Sequence, residues 1–189
     1  MQDDPVVWDG RIVIETERLR LRGFTRADLP AIAAMHADLE VMQYLGGARI
    51  GPEITDGIAA AAQRSFAASG IGKLAVERRS DGALIGMCGL SVESWYPDDL
   101  EVGWRLARAY WGHGYASEAG AAWVDHAFAV LGAKRVLSVA DAPNLRSIAV
   151  MRRLGFTFDH VAELSDEYGS FSAVIYAIDA AGWRSRRNR

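Results

Sequence analysis

The sequence predicts a mixed α/β fold, in which one central, mostly antiparallel sheet has helices on both faces. Strand patterns at residues 73–79, 84–93 and 100–106 follow one another without an intervening helix, which is typical of antiparallel hairpins. Helical patterns then alternate with strands in the second half, which favours crossover connections. With 189 residues, 50% hydrophobic and 24% charged, the chain is long enough for one globular domain with a substantial core.

The first third of the chain is predicted to contain one strand and two helices after an extended lead-in. We assign residues 1–15 to an N-terminal extension and the alternating residues 18–22 to a half-buried strand. A capping box at residues 25–28, with Asp in place of Glu, begins a helix that runs to about residue 38. A second, alanine-rich helix is predicted for residues 52–69 and ends before a glycine.

The second half of the chain is predicted to contain two helices and three further strands. In order, these are helix 114–131, strand 136–139, helix 145–154, and strands 156–164 and 171–179. Asn144 is a typical N-cap for the shorter helix, and Gly155 is a typical C-cap. The domain is therefore expected to span residues 16–180, followed by a basic tail, 181–189, that we expect to be frayed.

Composition disfavours several classes of function. The formal net charge is −3, so no general basic surface for nucleic acid is expected. Cys88 is the one cysteine, so no disulfide within the chain is possible. The acidic N-terminus carries no apolar leader, and no apolar segment approaches the length of a membrane span. We expect a soluble cytoplasmic protein without a membrane partner, and a homodimer is retained as one option.

A glycine-containing turn after the strand at 100–106 is the main candidate binding site. It precedes the long helix and consists of Trp111, Gly112, His113, Gly114, Tyr115, Ala116 and Ser117. Glycines allow backbone N–H groups to converge, and a helix N-terminus adds about half a positive charge. This combination suits an anion such as a pyrophosphate, although a pair of glycines alone is more often a plain strand-to-helix turn.

Three stretches, in matching order and spacing, resemble the GNAT family of N-acetyltransferases, and the resemblance spans residues 16–179. Residues 17–29 resemble the start of its Rim-type subfamily, which acetylates protein N-termini. Residues 101–119 resemble motif A of the family, Gln/Arg-x-x-Gly-x-Gly/Ala, with Trp111 where Gln or Arg is usual. Residues 144–156 resemble motif B, which ends in Leu-Gly-Phe. The resemblance implies a GNAT fold and the transfer of an acetyl group to an amine.

The resemblance also implies a cosubstrate, acetyl-CoA, and no metal. The turn at residues 111–117 would hold its pyrophosphate. The pantetheine arm would lie like an added strand beside Trp104, Arg105 and Leu106, with a backbone N–H near Trp104 directed at the thioester carbonyl. A bulge near Gly103 would help to open the necessary gap, unless this glycine is only a weak point in the strand.

Acetyl transfer to an amine requires a base for the amine and an acid for the thiolate. Glu101 is the first candidate for the base and Glu93 the second, although a solvated carboxylate at a strand end is the alternative interpretation. Many GNAT enzymes use as the acid a Tyr at the position that is Met151 here, and the resemblance to the Rim type implies Ser147 instead. Ser147 could equally be a small residue that permits close packing. Asn144 would contact the pantetheine arm in addition to capping its helix.

The sequence leaves the acceptor open between a protein N-terminal amine and a small-molecule amine. In this fold, residues 40–50 would cover the acceptor site with Tyr44 as a wall, whereas Trp95 and Tyr96 could line it or cap the core. A different class of function, a GNAT-fold module that binds acyl-CoA without turnover, is kept open by Met151. A dinucleotide-binding domain is disfavoured because the six-residue glycine fingerprint is absent.

Overall fold

An eight-stranded sheet organises the computed structural model, which describes residues 6–45, 51–166 and 169–187. The strands are β1 (Ile12–Glu15), β2 (Leu19–Arg22), β3 (Lys73–Arg78), β4 (Ala83–Ser91), β5 (Leu100–Leu106), β6 (Arg135–Asp141), β7 (Thr157–Asp166) and β8 (Gly169–Asp179). Their order across the sheet is β1-β2-β3-β4-β5-β6-β8-β7, and among these described strands only β5 and β6 pair in parallel. The prediction of a mixed, mostly antiparallel sheet is confirmed.

Helices cover both faces of the sheet. They are α1 (Leu29–His36), α2 (Leu39–Met42), α3 (Pro52–Ser69), α4 (Tyr115–Ala129), α5 (Leu145–Leu154) and α6 (Ala180–Arg187). One face packs against α1 and α3 through an apolar cluster that includes Phe24, Ile32 and Met87. The other face packs against α4 and α5 through a larger cluster that includes Trp123 and Met151. The predicted helices on both faces are therefore confirmed.

The two elements that flank the candidate site follow from local signals. The Ser147 N–H donates to the Asn144 side-chain oxygen at 3.1 Å, and Gly155 ends α5 with a φ of +84°. A polar N-cap and a left-handed glycine are common signals of helix ends. Both α5 and β5 therefore lie at the residues predicted for them, 145–154 and 100–106.

Strands β5 and β6 separate after a short parallel pairing. Their last paired residues are Glu101 and Leu137, whereas β6 continues beside β8 as far as Asp141. Just beyond the last pair, the Ser138 hydroxyl donates to the Val102 carbonyl at 3.0 Å. Past this contact the two strands form no further ladder, and a gap opens toward their C-terminal ends.

The predicted bulge near Gly103 is wrong. Strands β4 and β5 keep an unbroken antiparallel register over their whole ladder, in which Gly103 lies opposite Gly89. The gap opens because β6 leaves the edge of β5 and stays paired with β8. Gly103 instead makes room for Lys73, since a Cβ on Gly103 would lie 2.8 Å from the Lys73 Cε.

Both ends of the described chain add to the domain. Within the predicted N-terminal extension, Ile12–Glu15 form β1 and pair with β2. The prediction of a frayed C-terminal tail is wrong as far as Arg187, because these residues extend the chain as α6. Trp183 of this helix is 5% exposed, and its indole N–H donates to Asp125 of α4 at 2.8 Å. The indole therefore anchors α6 to the core, and residues 188–189 lie outside the described ranges.

Candidate active site

A turn that contains two glycines in the left-handed conformation follows β5 and leads into α4. Trp111 is extended, and Gly112 and Gly114 adopt φ values of +79° and +81°, which favour glycine. The Glu118 N–H is bonded to the Gly114 carbonyl at 3.0 Å, so the N–H groups of residues 115–117 precede the helical ladder. These N–H groups and the helix dipole together give the geometry that suits an anion.

The one acidic residue in the first turn of α4 is held by the sheet. The Glu118 carboxylate accepts hydrogen bonds from the Thr16 hydroxyl at 2.6 Å, the Arg18 backbone N–H at 2.8 Å and the Arg18 Nε at 2.6 Å. Burial would raise the pKa of Glu118, but the hydrogen bonds from Thr16 and Arg18 outweigh it and lower that pKa. Glu118 thus anchors the helix end to the start of β2, and its own partners satisfy its charge.

Two arginine side chains from outside the turn hold it in place. The His113 carbonyl accepts a hydrogen bond from the Arg18 Nη1 at 2.9 Å, while the His113 side chain is exposed. The Ser117 hydroxyl accepts from the Arg153 Nη1 of α5 at 3.2 Å, and Ala116 packs against the core. The turn is therefore tied to both β2 and α5, and its role in binding stays a prediction.

Alternate residues of β5 direct their backbone groups toward the gap. The Ala107 N–H donates to the Ile85 carbonyl on β4 at 2.9 Å. Because backbone groups alternate sides along a strand, the N–H and C=O groups of Val102, Trp104 and Leu106 point toward the gap. The hydroxyl contact from β6 to the Val102 carbonyl agrees with this alternation. Trp104 therefore has the orientation that its predicted pairing with a pantetheine arm requires.

Trp111 occupies the mouth of the gap. Its indole N–H donates to the Leu106 carbonyl at 2.8 Å, and the Arg146 guanidinium of α5 lies 4.7 Å from the centre of its ring. The residue that stands where Gln or Arg is usual thus supplies a neutral donor to the strand edge. It also links the turn to α5 by a cation–π contact.

Arg105 differs from its two predicted neighbours at the gap. By the same alternation its backbone groups face β4, and its side chain lies on the face that carries α1, where its Nη1 is 2.6 Å from the His36 Nε2. Burial, followed by the charge of Arg105, lowers the pKa of His36 to about 4, so this ring is neutral. Since arginine only donates, Nε2 accepts and Nδ1 donates to the Thr55 hydroxyl at 3.0 Å.

Glu101 lies at the last pair of the β5–β6 ladder, where the gap begins. It is 9% exposed, and its Oε2 accepts hydrogen bonds from the Lys73 Nζ at 2.9 Å and the Ser91 hydroxyl at 2.8 Å. Its Oε1 lies 3.4 Å from the position that a Cβ would take on Gly103. One oxygen of the carboxylate is therefore fixed by two donors, and the other lies beside the glycine.

Lys73 joins the two carboxylates that the sequence proposes as bases. Its Nζ is also 3.7 Å from the Glu93 Oε1, and the side chains of Lys73 and Glu93 are 33% and 31% exposed. Burial would lower the pKa of Lys73, but the charges of Glu101 and Glu93 outweigh it and raise that pKa. Lys73 is therefore an ammonium group, and it forms an ion pair with Glu101 at 2.9 Å.

The two residues considered for the acid lie on α5. Ser147 is half-buried in the first turn of this helix, and Met151 is fully buried in the larger apolar cluster. Glu101 faces the opposite side of the sheet, the side of Lys73. The two predicted catalytic groups therefore belong to opposite faces, and the gap between β5 and β6 is the place where both faces meet.

Trp95 and Tyr96 cover a third apolar cluster, which includes Leu137 and Ile175, so the structure favours a core-capping role for them. The Trp95 indole donates to the Ser165 carbonyl at 2.9 Å. Of the predicted cover over the acceptor site, residues 46–50 lie outside the described ranges. The Tyr44 hydroxyl donates to the Pro143 carbonyl at 3.4 Å, which brings this segment to the loop before α5. 

Two features are absent from the described ranges. Residues 6–45, 51–166 and 169–187 hold no group of three or more His, Cys, Asp or Glu side chains that could bind a metal ion. Within the same part of the chain, none of the helices is both long and apolar enough to cross a bilayer.

Comparison with known families identifies this arrangement. A model of the acetyltransferase (GNAT) domain matches residues 18–157, which include β5, the glycine turn and α5. The chain belongs to the GNAT acetyltransferase family. The resemblance noted in the sequence is therefore confirmed at the level of the family, and the Rim-type subfamily stays a prediction.

Three similar proteins bear on the activity. YoaA of Bacillus subtilis (strain 168), described as an uncharacterised N-acetyltransferase, is 31% identical over 149 residues, which cover 76% of this chain and 82% of YoaA. The crystal structure of an acetyltransferase from Agrobacterium tumefaciens C58 is 30% identical, with a TM-score of 0.74, and covers 87% of this chain and 92% of that one. The FsC-acetyl coenzyme A-N(2)-transacetylase of Aspergillus fumigatus is 36% identical over 76 residues, which cover 40% of this chain and 32% of that protein. Acetyl transfer is therefore the supported activity.

Sequence reasoning missed three residues that shape the site. Lys73 holds Glu101, Arg18 holds the glycine turn, and Arg146 stacks on Trp111. The only sequence signal for Lys73 and Arg18 is a charged residue in or next to a predicted strand. Their partners lie 28 and 95 residues away, and such long-range pairings are set by strand register.

Proposed function

We propose that the chain is an acetyl-CoA-dependent N-acetyltransferase in which the acceptor amine attacks the thioester directly. The observation that carries the proposal is the gap between β5 and β6, which has the glycine turn at its mouth. A pantetheine arm fits beside Trp104, and a pyrophosphate fits at the N-terminus of α4. The name of the Aspergillus relative, which includes acetyl coenzyme A, supports the same cosubstrate.

In this proposal each step has a residue of the chain. The ammonium of the acceptor first gives one proton to Glu101, directly or through a water, and this proton passes on to solvent; general-base assistance of this kind is worth roughly 10²–10⁴ in rate. The neutral amine nitrogen then bonds to the thioester carbon, whose carbonyl is polarised by the Trp104 N–H. The carbon–sulfur bond breaks, the Ser147 hydroxyl hydrogen-bonds the departing thiolate, and the second proton lost by the nitrogen neutralises that thiolate.

The proposed acceptor is a cationic primary amine, either a peptide N-terminus or a small molecule. It approaches from the face of the sheet that carries α1 and α3, because the carboxylates of Glu101 and Glu93 lie there. The Glu101 Oε1, which lies beside Gly103 and away from the two donors on Oε2, offers the ammonium group a hydrogen-bond acceptor before it loses its proton.

A thiol-release assay with acetyl-CoA tests the proposal against a panel of peptides and small amines. Cys88 is 1% exposed, and burial raises its pKa to about 12, so a thiol reagent reports the coenzyme rather than the protein. Turnover on peptides alone supports a protein N-terminus as the acceptor. Turnover on small amines alone contradicts it. Ser147→Ala should lower kcat while leaving coenzyme A binding unchanged, and Ser69→Ala, at the end of α3, is the matched control.

A second candidate function is an acyl-CoA-binding module without turnover. Two observations favour it: Met151, at the position of the usual Tyr acid, is fully buried, and Glu101 already has Lys73 as an ion-pair partner. Calorimetry separates the two functions, because tight acetyl-CoA binding with no thiol release on any acceptor supports the module. Release with any amine contradicts it.

A further inference from the structure

Four arginine side chains surround a pocket of about 420 Å³ beside the N-terminus of α4. They are Arg18, Arg20, Arg78 and Arg79, and the first residue of α4, Tyr115, also lines the pocket. This volume lies within the range of roughly 300–1,000 Å³ that is usual for small-molecule sites. The near-neutral charge of the whole chain conceals this local concentration of positive charge.

The register of two neighbouring strands brings the arginines together. Leu19 of β2 lies opposite Arg78 of β3, and the Arg79 N–H donates to the Arg18 carbonyl at 2.9 Å. Positive side chains from the start of β2 and the end of β3 therefore meet at one end of the sheet. Such like charges repel one another unless anions balance them.

Carboxylates stabilise the cluster mostly from outside the pocket. Arg18 is paired with Glu118 at 2.6 Å and Arg78 with Asp81 at 2.5 Å. Arg20 is paired with Glu15 at 2.9 Å and Glu77 at 3.1 Å, and Glu15 also lies 4.0 Å from Arg79. None of these four carboxylates lines the pocket. Glu17 is the one acidic residue among the lining residues that the structure describes. The pocket wall thus carries four guanidinium groups and one carboxylate.

The pocket is continuous with the glycine turn. The Arg18 Nη1 donates to the His113 carbonyl at 2.9 Å, and its Nη2 lies 3.4 Å from the position that a Cβ would take on Gly114. The Arg18 guanidinium also lies 4.7 Å from the centre of the Tyr115 ring. Tyr115 therefore belongs to both the turn and the pocket, and Arg18 connects the two.

We infer that this pocket binds a phosphate monoester, and that its source is the 3′-phosphate on the ribose of the bound acetyl-CoA. The inference rests on the proposed function. Coenzyme A carries a pyrophosphate and a separate phosphate monoester joined through one ribose, which matches two adjoining anion sites. The backbone N–H groups of the turn hold the first, and the planar guanidinium groups hold the second through charge-assisted hydrogen bonds.

Calorimetric titration with coenzyme A and with dephospho-coenzyme A tests the inference without turnover. Wild-type protein is expected to bind coenzyme A at least about tenfold more tightly than dephospho-coenzyme A, because only coenzyme A carries the phosphate monoester. Arg78→Gln should bring this ratio close to one, whereas Arg78→Lys should keep part of it. The control Arg64→Gln removes one positive charge from an exposed position on α3 and should leave the ratio unchanged. Arg79→Gln provides a second test if Arg78→Gln lowers the melting temperature.

Inorganic phosphate distinguishes the source of the monoester. If the coenzyme supplies it, added phosphate weakens the binding of coenzyme A but not that of dephospho-coenzyme A. Equal wild-type affinities for the two coenzymes would overturn the inference and leave the proposed function intact. Phosphate binding that does not compete with coenzyme A would assign the pocket to free phosphate and overturn it too. Binding of neither coenzyme would reject the proposed function, and the inference with it.

Discussion

Glu101 lies where β5 and β6 part, and its two oxygens have different surroundings. Oε2 is held by Lys73 and Ser91, while Oε1 lies beside Gly103. A base needs an oxygen that can reach the substrate and a carboxylate that is held in one position. The small residue at 103 provides the first condition, and the hydrogen bonds from Lys73 and Ser91 provide the second.

Replacement of Glu101 separates the two candidate bases. We expect Glu101→Gln to lower kcat by about 10² or more, because the amide cannot take the proton of the amine. Coenzyme A binding, measured by calorimetry, should be unchanged. Glu93→Gln is the matched control, since Glu93 also reaches Lys73 but lies farther from it, at 3.7 Å. A larger loss in Glu93→Gln than in Glu101→Gln contradicts the assignment.

Lys73 is expected to position Glu101 rather than to touch the substrate. Lys73→Met removes one of the two donors that fix the Glu101 Oε2, so we expect kcat to fall by about tenfold while the dissociation constant of coenzyme A stays unchanged. Lys73→Arg keeps a positively charged donor and should restore most of kcat. Equal losses of kcat in Lys73→Met and Lys73→Arg contradict the positioning role and indicate a structural defect.

At this scale, local chemistry could be predicted and long-range partners could not. The N-cap at Asn144 follows from residue type and neighbouring pattern, and it is confirmed. The ion pair of Lys73 with Glu101 depends on the register of β3, β4 and β5. A slip of one residue in this register would move one of the two side chains to the other face of the sheet. No local pattern carries that information.

Among the elements, the turn from β5 to α4 makes the sharpest prediction. Gly112 has a φ of +79° and no neighbouring atom within 4 Å of an added Cβ, so Gly112→Ala meets only backbone strain. Gly132, beyond α4, has a φ of +67° and equally open surroundings. Each substitution should therefore destabilise the fold by about 1 kcal/mol.

Only one of the two substitutions should affect the coenzyme. We expect Gly112→Ala to weaken coenzyme A binding by about tenfold, because the strain shifts the N–H groups that face the pyrophosphate. Gly132→Ala should leave the dissociation constant unchanged. Calorimetry gives the affinities and thermal unfolding gives the stabilities. Equal loss of affinity in both variants, or in neither, contradicts a binding role for the turn.

The element bounds show what sequence periodicity can and cannot provide. Capping residues and glycines place α3 and α5 at their predicted residues because these signals act within one helical turn. The gap is different, because it depends on β6 staying with β8 rather than with β5. The predicted bulge near Gly103 is wrong for this reason. A bulge would be a local cause of the gap, whereas the gap arises from the pairing of strands that are distant in sequence.

For the whole molecule, His36 makes stability depend on pH. The pKa of His36 is lowered to about 4 in the folded protein from the ordinary value of 6.5 in the unfolded chain. Between these values the unfolded state binds more protons, so stability should fall as pH drops from about 6.5 to about 4, by at most about 3 kcal/mol. Denaturant unfolding across this range measures the slope.

The matched variants are His36→Gln and His113→Gln. The first should flatten much of the slope, and the second should keep it, because His113 is exposed. Burial also lowers the pKa of His126, so a smaller slope of the same sign should persist in His36→Gln. A slope equal to that of wild-type protein in His36→Gln contradicts the buried neutral ring.

The fold class was within reach of the sequence, but the complete topology was not. Consecutive strand patterns followed by alternating helices correctly indicate a mixed sheet with helices on both faces. The position of β8 between β6 and β7, and the docking of α6 through Trp183, depend on tertiary packing. The pairing of β2 with β3 likewise creates the arginine pocket, which no composition average reveals.

A crystal structure of the protein with coenzyme A tests the central claim most directly. We expect the pantetheine arm in the gap, hydrogen-bonded to the Trp104 backbone, and the pyrophosphate at the N–H groups of the turn before α4. We also expect the thiol end of the arm between Glu101 and Ser147. Coenzyme A bound elsewhere, with β5 and β6 unchanged and the turn empty, would contradict the proposed site.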